Sequence, residues 1–247
     1  MENTYDLVVI GAGSGGLSAA MFGVGAHATV ALIEKNRIGG DCTWRGCIPS
    51  KSLLKAAKIA HHMRSAEQYG IKAHEPEVDM QAVMGRVHNI IEITYEEEKP
   101  EVLRSRGIDV YMGEAKFVDA HTLRVGDDTL KARNVIITTG AHPVVPPIEG
   151  IDVVDYFTYE SIWHIDKLPK QLIVLGGGPI GSEMAQAFNR LGSRVSQIEA
   201  YGSLLSRDDP IAGKIIMDTF RSEGIALHCH AKAERVWKDE LGIHVQA

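Results

Sequence analysis

Two cysteines lie five positions apart in Gly-Gly-Asp-Cys-Thr-Trp-Arg-Gly-Cys-Ile-Pro-Ser-Lys, which occupies residues 39–51. A disulfide between Cys42 and Cys47 would close a short irregular turn, and such a bond is strained, accessible and more easily reduced than a structural disulfide. Pro49 is expected in the first turn of a helix, which would place Cys47 near the positive end of the helix dipole, where a thiolate is favoured. The spacing therefore predicts a redox-active dithiol. The alternative is a pair of small buried hydrophobic side chains.

A glycine-rich fingerprint precedes the two cysteines. The apolar run at residues 5–10 predicts a buried parallel strand, which leads into Gly-Ala-Gly-Ser-Gly-Gly at residues 11–16, a helix, and a second strand ending at Glu34. The acidic residue follows the first glycine by the roughly 20 residues typical of a dinucleotide-binding βαβ unit. In such units the pyrophosphate meets the helix N-terminus and the acid accepts the ribose hydroxyls. The pattern predicts a nucleotide site formed by Gly11, Gly13, Gly16 and Glu34.

A second copy of this fingerprint begins after residue 170. A strand at residues 171–175 leads into Gly-Gly-Gly-Pro-Ile-Gly at residues 176–181, a helix and a further strand. Glu199 follows the first glycine of this copy at the same spacing as Glu34 in the first. The sequence therefore contains an internal repeat and predicts a second nucleotide site.

The similarity of the two copies extends beyond the fingerprints. Gly107-Ile108 reappears as Gly224-Ile225, and each pair opens a strand that is followed by short alternating segments. In the first copy these segments lead to a buried strand at residues 134–140. The second copy has no counterpart of this strand before Ala247. We therefore expect the second sheet to lack its last strand, which leaves the neighbouring strand with unpaired backbone groups.

The remaining pattern predicts two helices, a small β-meander and a domain boundary. One helix is expected at residues 52–64, and another begins at Asp79 and is bent or interrupted at Pro100. Glu96-Glu97-Glu98 is interpreted as a solvated helix face. The proline-rich stretch 141–150 is typical of a boundary between domains. The meander is expected in three short alternating segments, at residues 109–112, 115–118 and 122–125.

Composition excludes several classes of function. A net charge of -6 without a local cluster of Lys or Arg gives no electrostatic reason to bind nucleic acid or an anionic membrane. Residues 7–33 lack charges, but their many glycines favour a soluble strand-turn-helix-strand over a membrane span. Three cysteines do not form a disulfide scaffold, which favours a reducing, cytoplasmic setting. In His228-Cys229-His230, alternation along a strand separates the cysteine from the histidines, so no metal site is predicted.

The Cys-x-x-x-x-Cys-x-Pro-Ser-Lys element between two nucleotide fingerprints resembles that of the class I pyridine nucleotide-disulfide oxidoreductases, and the resemblance extends over the whole chain. Ile48-Pro49-Ser50-Lys51 is similar to the dihydrolipoamide dehydrogenase and mercuric reductase branches rather than to glutathione reductase. Asp41 and Thr43-Trp44-Arg45 replace the small and aliphatic residues common around the cysteines of these enzymes, which leaves the substrate open.

The resemblance implies an α/β fold with two Rossmann-like three-layer domains, each with a small β-meander. Residues 1–145 would form an FAD-binding domain that carries the redox-active cysteines, and residues 151–247 an incomplete NAD(P)-binding domain. The family's C-terminal dimerisation domain, which supplies an acid-base histidine and its glutamate partner, is expected to be absent. The full-length enzyme is expected to be a homodimer, and the 247-residue chain alone is expected to be inactive.

For the first half of the chain, the resemblance implies Cys47 as the flavin-proximal, charge-transfer thiol and Cys42 as the interchange thiol that attacks the substrate. It implies that Lys51 lies near the reactive nitrogen of the isoalloxazine ring, where its charge would stabilise the reduced flavin. Further FAD contacts are implied at Ala115, Thr139 and Gly140.

For the second half, the resemblance implies a nicotinamide nucleotide site at Gly176, Gly178, Gly181, Glu183 and Glu199. Glu199 suits a ribose 2′-hydroxyl and would repel a 2′-phosphate, which favours NAD(H) over NADP(H). Arg194 and Arg207 keep the NADP(H) alternative open. Glu183 is implied to meet the nicotinamide end, and the alternative is a solvated helix residue.

These features predict an FAD-dependent enzyme that moves electrons between NAD(H) and a disulfide, a dithiol or another thiol-reactive small molecule through the flavin and Cys42/Cys47. Two alternatives remain open. One is reduction of a soft metal ion such as Hg(II), in which the dithiol binds the ion before electron transfer. The other is a nucleotide-binding fragment without turnover.

Overall fold

The protein, described by a computed structural model over residues 3–247, divides into two compact units. One consists of the residues up to Pro49 together with His88–His142, and the other of Ser50–Val87 together with Pro143–Ala247. The division after His142 falls in the proline-rich stretch. Assignment of FAD to one domain and of the nicotinamide nucleotide to the other remains a prediction.

The first unit contains a six-stranded sheet in the order β3-β2-β1-β6-β5-β4. The strands are β1 (Asn3–Ile10), β2 (Val30–Glu34), β3 (Ile108–Met112), β4 (Ala115–Asp119), β5 (Thr122–Val125) and β6 (Asp128–Ile137). β1 pairs in parallel with β2 and β6, and β2 pairs in parallel with β3, whereas β5 is antiparallel to β4 and β6. The predicted βαβ unit is confirmed at the centre of this sheet.

One helix begins earlier than predicted, and one predicted interruption is observed. The helix predicted from residue 52 begins at Cys47, the second of the two cysteines. Pro49 is compatible with this start, because residues in the first turn of a helix need no intrahelical partner for their backbone N–H. The predicted break at Pro100 is confirmed as an interruption and not a bend: the helix that Asp79 precedes ends at Glu96, and Pro100 starts a new one. The helices are α1 (Ser14–Gly25), α2 (Gly40–Trp44), α3 (Cys47–Arg64), α4 (Met80–Glu96), α5 (Pro100–Ser105), α6 (Pro179–Leu191) and α7 (Pro210–Ser222), with 3₁₀ turns at Ala66–Tyr69, Ile151–Val153 and Ile162–His164.

The strand β3 belongs to the parallel sheet, whereas the sequence pattern placed it in the meander. Ile108 and Val110 are buried in one hydrophobic cluster with Val30 and Leu32 of β2. Val30 and Ile108 are also partners in the parallel pairing of the two strands. The meander is therefore formed by β4, β5 and the first half of β6.

Both faces of this sheet are packed. Successive side chains of a strand point to opposite faces. Val9 of β1 accordingly joins the cluster that includes Leu32 and Leu103 of α5, whereas Val8 joins the cluster that includes Leu123 and Leu130 of the meander. The carboxyl end of β1, where the first fingerprint begins, is thus fixed between two hydrophobic layers.

The second unit repeats the first three strands of this arrangement. Its parallel sheet has the order β7-β8-β9, and β10 and β11 form an antiparallel hairpin. The strands are β7 (Gln171–Leu175), β8 (Arg194–Glu199), β9 (Ala226–Cys229), β10 (Arg235–Asp239) and β11 (Gly242–Gln246). The internal repeat is confirmed, and within residues 3–247 no strand pairs with the edge of β7 opposite β8. None of the helices described is both long enough and apolar enough to cross a membrane.

Candidate functional site

The two cysteines lie on consecutive helices. Cys42 belongs to α2, Cys47 is the first residue of α3, and their Sγ atoms are 2.8 Å apart with either thiol able to donate. The hydrogen bond from Cys47 lowers the pKa of the Cys42 thiol, and a hydrogen bond from the Ser14 hydroxyl acts in the same direction, against partial burial and the charge of Asp41. A small movement would bring the sulfurs to the roughly 2.05 Å of a disulfide bond. The two sulfurs are therefore close enough for a disulfide bond to form between Cys42 and Cys47.

The first fingerprint forms the turn between β1 and α1. Gly11 has a φ of +97°, and its N–H donates to the Ile33 carbonyl at 2.8 Å. Gly13 is the N-cap residue of α1. A side chain at Gly16 would overlap the Gly11 carbonyl, so only glycine lets α1 start this close to β1. The first turn of α1 contains no acidic residue, which leaves the positive end of the helix suited to the pyrophosphate of FAD.

Glu34 ends β2 beside this turn. One carboxylate oxygen accepts a hydrogen bond from the Ala12 N–H at 2.8 Å and the other from the Asn36 N–H at 2.7 Å. Each oxygen keeps a lone pair that could accept a hydrogen bond from a ribose hydroxyl. Ala115 starts β4 shortly after Gly113, whose N–H donates to the Glu34 carbonyl at 2.8 Å. These residues thus fit the adenosine half of FAD at the carboxyl edge of the sheet.

The end of β6 contacts the same turn through Thr138, which the sequence pattern did not distinguish from its neighbours. The Thr138 N–H donates to the Ile10 carbonyl at 2.8 Å, and its hydroxyl lies 3.0 Å from that carbonyl and 2.9 Å from the Gly11 carbonyl. Thr139 and Gly140 follow directly, and Gly140 has a φ of +71°. The predicted flavin contacts therefore lie next to the fingerprint turn, and Thr138 joins them to it.

Lys51 and Glu183 form an ion pair within the second unit. The Lys51 Nζ lies 2.5 Å from the Glu183 Oε1, and the two side chains are 61% and 35% exposed. An ion pair this exposed contributes little to stability. Glu183 has a cationic partner, which neither of the two interpretations from the sequence anticipated.

The second fingerprint repeats the geometry of the first. Gly176 has a φ of +105°, and its N–H donates to the Ile198 carbonyl at 2.8 Å. Gly178 is the N-cap residue of α6, and a side chain at Gly181 would overlap the Gly176 carbonyl. The first turn of α6 also lacks acidic residues. The donor set again suits an anionic pyrophosphate.

Glu199 occupies the position in β8 that Glu34 occupies in β2. Its carboxylate accepts hydrogen bonds from the Gly177 N–H and, at 2.7 Å, from the Tyr201 N–H. These donors correspond to Ala12 and Asn36 in the first copy. Glu199 is more enclosed than Glu34, with 8% of the residue exposed.

Glu98 departs from the predicted solvated helix face. Glu96 and Glu97 are exposed, but Glu98 lies in the turn after α4 and is partly buried. The Thr43 hydroxyl lies 2.9 Å and 3.1 Å from its two carboxylate oxygens. Burial raises the pKa of Glu98, and the hydrogen bond from Thr43 opposes that shift. Three consecutive glutamates look alike in the sequence, so no local signal identified Glu98 as the one that contacts α2, the helix that carries Cys42.

No group of three or more His, Cys, Asp or Glu residues within 3–247 is placed to hold a metal ion. Cys229 ends β9, and His230 follows it with a φ of +56°. The strand alternation expected for His228-Cys229-His230 therefore stops at the cysteine. Burial raises the pKa of the Cys229 thiol, which makes it less reactive than Cys42.

Comparison with known proteins gives a consistent result. The family model for pyridine nucleotide-disulphide oxidoreductases matches residues 5–247. The chain is 36% identical to a mercuric reductase of Streptomyces lividans over 245 residues, which cover 97% of this chain and 52% of the relative. It is 33% identical to a dihydrolipoyl dehydrogenase of Thermus scotoductus over 250 residues, which cover 98% of this chain and 52% of the relative.

A solved structure has the same fold. The HOCl-induced flavoprotein disulfide reductase RclA from Escherichia coli matches with a TM-score of 0.82 and 30% identity, covering 98% of this chain and 53% of that one. The chain thus spans about half the length of these relatives. The resemblance carried by the cysteine element and the Rossmann-like α/β fold are both confirmed. The chain belongs to the pyridine nucleotide-disulphide oxidoreductase family.

Proposed function

We propose that the protein is an FAD-dependent oxidoreductase that moves electrons between NAD(H) and a disulfide or dithiol substrate through Cys42 and Cys47. The observation that carries this proposal is the 2.8 Å separation of the two Sγ atoms in a chain with two dinucleotide-binding turns. Gly11, Gly13, Gly16 and Glu34 would hold FAD at the first fingerprint, and the cofactor would supply the two-electron redox chemistry that links NADH to the Cys42–Cys47 disulfide.

The dithiol completes the transfer by thiol-disulfide exchange. The Cys42 thiolate attacks one sulfur of the substrate disulfide, forms a mixed disulfide and releases the first thiolate, which takes up a proton. The Cys47 thiolate then attacks the Cys42 sulfur, so the second substrate thiol leaves and the Cys42–Cys47 disulfide forms. The lowered pKa of Cys42 supports its role as the attacking group, because the thiolate is the nucleophile.

Lys51 and Glu183 would serve the cofactors rather than the substrate. We place the Lys51 ammonium near the flavin, where a positive charge stabilises the reduced ring. Glu183, its ion-pair partner at 2.5 Å, would hold the ammonium in one orientation and meet the nicotinamide end.

NAD(H) is the preferred nicotinamide nucleotide in this proposal. The enclosed Glu199 carboxylate suits a ribose 2′-hydroxyl and repels a 2′-phosphate. Arg194 begins β8 and Glu199 ends it, about 17 Å away at the usual rise per strand residue, so Arg194 is too distant to offset that repulsion. Arg207 lies nearer the second fingerprint. Two residues before it, the Leu205 N–H donates to the Gly177 carbonyl at 2.8 Å.

The proposal predicts that NADH, added anaerobically to the oxidised flavin-loaded protein, converts the Cys42–Cys47 disulfide into two thiols. After alkylation, trypsin separates these thiols, since cleavage after Arg37, Arg45 and Lys51 leaves one cysteine in each of two peptides. Mass spectrometry should find new label on both peptides and unchanged label on the Cys229 peptide. NADPH should act roughly tenfold more slowly, because of the repulsion at Glu199. Absence of new label on both peptides would contradict the dithiol mechanism.

Reduction of a soft metal ion such as Hg(II) is the second candidate, favoured by mercuric reductase relatives that are 36% and 34% identical to this chain. Thiolates are preferred ligands of soft ions, and Cys42 and Cys47 are close enough to bind one ion together. Rates of NADH oxidation with a lipoyl disulfide and with Hg(II) in excess thiol distinguish the candidates. We expect the disulfide to have the higher kcat/KM, and a preference for Hg(II) of more than about tenfold, or 1.4 kcal/mol, would instead favour metal reduction.

A further inference from the structure

Glu98 is a partly buried carboxylate that the proposed dithiol exchange does not use. It lies in the turn between α4 and α5, 55 positions along the chain from Thr43, whose hydroxyl is 2.9 Å and 3.1 Å from its two oxygens. Thr43 is itself buried, with 2% of the residue exposed, and it directly follows Cys42. Within residues 3–247 no lysine or arginine forms an ion pair with Glu98, so the hydroxyl of Thr43 is its main side-chain contact.

The backbone that enters α2 also packs against Glu98. Gly39, the N-cap residue of α2, has a φ of +100°, and its N–H donates to the Ala12 carbonyl at 2.8 Å. A side chain at Gly39 would collide with the Glu98 carboxylate and with Thr43. A side chain at Gly40 would lie 2.6 Å from the Gly13 Cα. The start of α2 is therefore enclosed between the first fingerprint and Glu98.

The residue after Thr43 is held by the same end of α4. The Trp44 indole N–H donates to the Ile38 carbonyl at 2.7 Å, and its ring lies 5.0 Å from the Tyr95 ring, measured between centroids. The Arg37 guanidinium lies 3.3 Å from the Trp44 ring centroid. Tyr95 and Glu98 together contact the two residues that follow Cys42, so the end of α4 and its turn set the position of α2.

We propose that Glu98 is a positioning residue for Cys42: through the Thr43 hydroxyl it holds α2 so that the Cys42 sulfur stays within hydrogen-bond distance of Cys47. Helix α2 has five residues, too few to be stable without tertiary contacts. Threonine needs an acceptor for its hydroxyl when it is buried, and the Glu98 carboxylate supplies it. The inference rests on the proposed role of Cys42, but it concerns the thiol itself and not turnover.

The groups that face Cys42 give this positioning a measurable consequence. The Cys47 thiol, the Ser14 hydroxyl and the Cys47 backbone N–H donate hydrogen bonds that favour its thiolate, whereas partial burial and the neighbouring Asp41 carboxylate disfavour it. Arg45 lies 3.9 Å from Asp41 and screens that charge. If α2 were no longer held, these hydrogen bonds would lengthen while Asp41 would remain adjacent in the chain. The Cys42 thiol would then ionise at higher pH.

The test is the pH profile of iodoacetamide alkylation at Cys42 in the reduced, flavin-loaded protein, followed on the tryptic peptide 38–45. Thr43→Val keeps the side-chain shape and removes the hydroxyl. Glu98→Ala removes the acceptor. For both we expect the midpoint of the profile to rise by roughly half to one pH unit, which slows alkylation at neutral pH about 3- to 10-fold. The midpoint reports the thiol pKa, whereas greater access to the thiol changes only the plateau.

Matched variants separate positioning from general destabilisation. Thr43→Ser keeps the hydroxyl and Glu98→Gln keeps an acceptor oxygen, so both should have the wild-type midpoint. Glu97→Gln changes an exposed neighbour that pairs with Arg106 and should have no effect, and Cys229 provides a reference thiol in every sample. A wild-type midpoint in Thr43→Val would overturn the proposal. So would a rise in Glu98→Gln as large as that in Glu98→Ala. Neither result would depend on whether the protein reduces disulfides, so the proposed function is tested separately.

Discussion

Replacement of Cys42 by serine is expected to lower disulfide-reducing turnover by roughly 10³-fold or more, with FAD still bound. A serine hydroxyl is not ionised at neutral pH and forms no mixed disulfide, so attack on the substrate sulfur fails. Serine is close in size to cysteine, and Cys42 is only partly buried, so the fold should tolerate the change. The measurement is steady-state NADH oxidation by the full-length protein with a disulfide substrate, normalised to the flavin content of the variant.

The chain supplies its own control for this substitution. Cys229 is a third cysteine, partly buried at the end of β9, and burial raises its pKa. Cys229→Ser should keep wild-type turnover. The proposed dithiol mechanism would fail if Cys42→Ser kept more than about a tenth of the activity, a loss of less than roughly 1.4 kcal/mol of transition-state stabilisation.

Cys47→Ser tests the distinct roles given to the two thiols. Without Cys47, the mixed disulfide on Cys42 has no resolving thiol, so a substrate adduct should persist on the tryptic peptide 38–45. In Cys42→Ser, the peptide 46–51 that carries Cys47 should acquire no adduct. The reverse pattern would make Cys47 the attacking thiol and Cys42 the resolving thiol, and the dithiol mechanism would still hold.

The features predicted well from the sequence are those set by local pattern. The strand at residues 171–175 is observed with those bounds, since an apolar run ending in a glycine turn specifies both its type and its end. The acidic residues Glu34 and Glu199 lie where the fingerprint spacing places them, each beside its glycine turn. The start of α3 at Cys47 was implied by Pro49 but missed by helical periodicity, which began only at Leu53.

The features missed depend on which distant segments meet. The choice between Thr138 and Thr139 at the fingerprint turn depends on the register of β6 against β1, which neighbouring identical residues do not reveal. Glu98 is distinguished from Glu96 and Glu97 by its burial against Gly39 and Thr43, which are far away in the sequence. Tertiary packing selects one residue from a uniform local pattern in both cases, and the selected residue contacts the candidate site.

Gly16→Ala is the second substitution with a large expected effect, and we expect it to weaken FAD binding by about 100-fold, or ~2.7 kcal/mol. A methyl group at this position would overlap the Gly11 carbonyl and lie 2.8 Å from the Thr138 hydroxyl. Backbone cannot yield as a flexible side chain does, so α1 must move away from β1, and its N-terminal N–H groups move with it. We also expect the free energy of unfolding to fall by roughly 1–3 kcal/mol. Flavin absorbance after gel filtration and thermal unfolding measure the two effects.

Two further alanine substitutions decide whether this loss is specific to the site. Gly25 ends the same helix, and a methyl group there would meet nothing within 4 Å, so Gly25→Ala should keep FAD and add about 0.5 kcal/mol of stability. Gly181→Ala creates the matching overlap with the Gly176 carbonyl in the second fingerprint. It should therefore keep FAD and raise the KM for NADH. The two turns share one geometry and differ only in the nucleotide assigned to each. If Gly181→Ala lost flavin and Gly16→Ala kept it, FAD would belong to the second fingerprint and the nicotinamide nucleotide to the first.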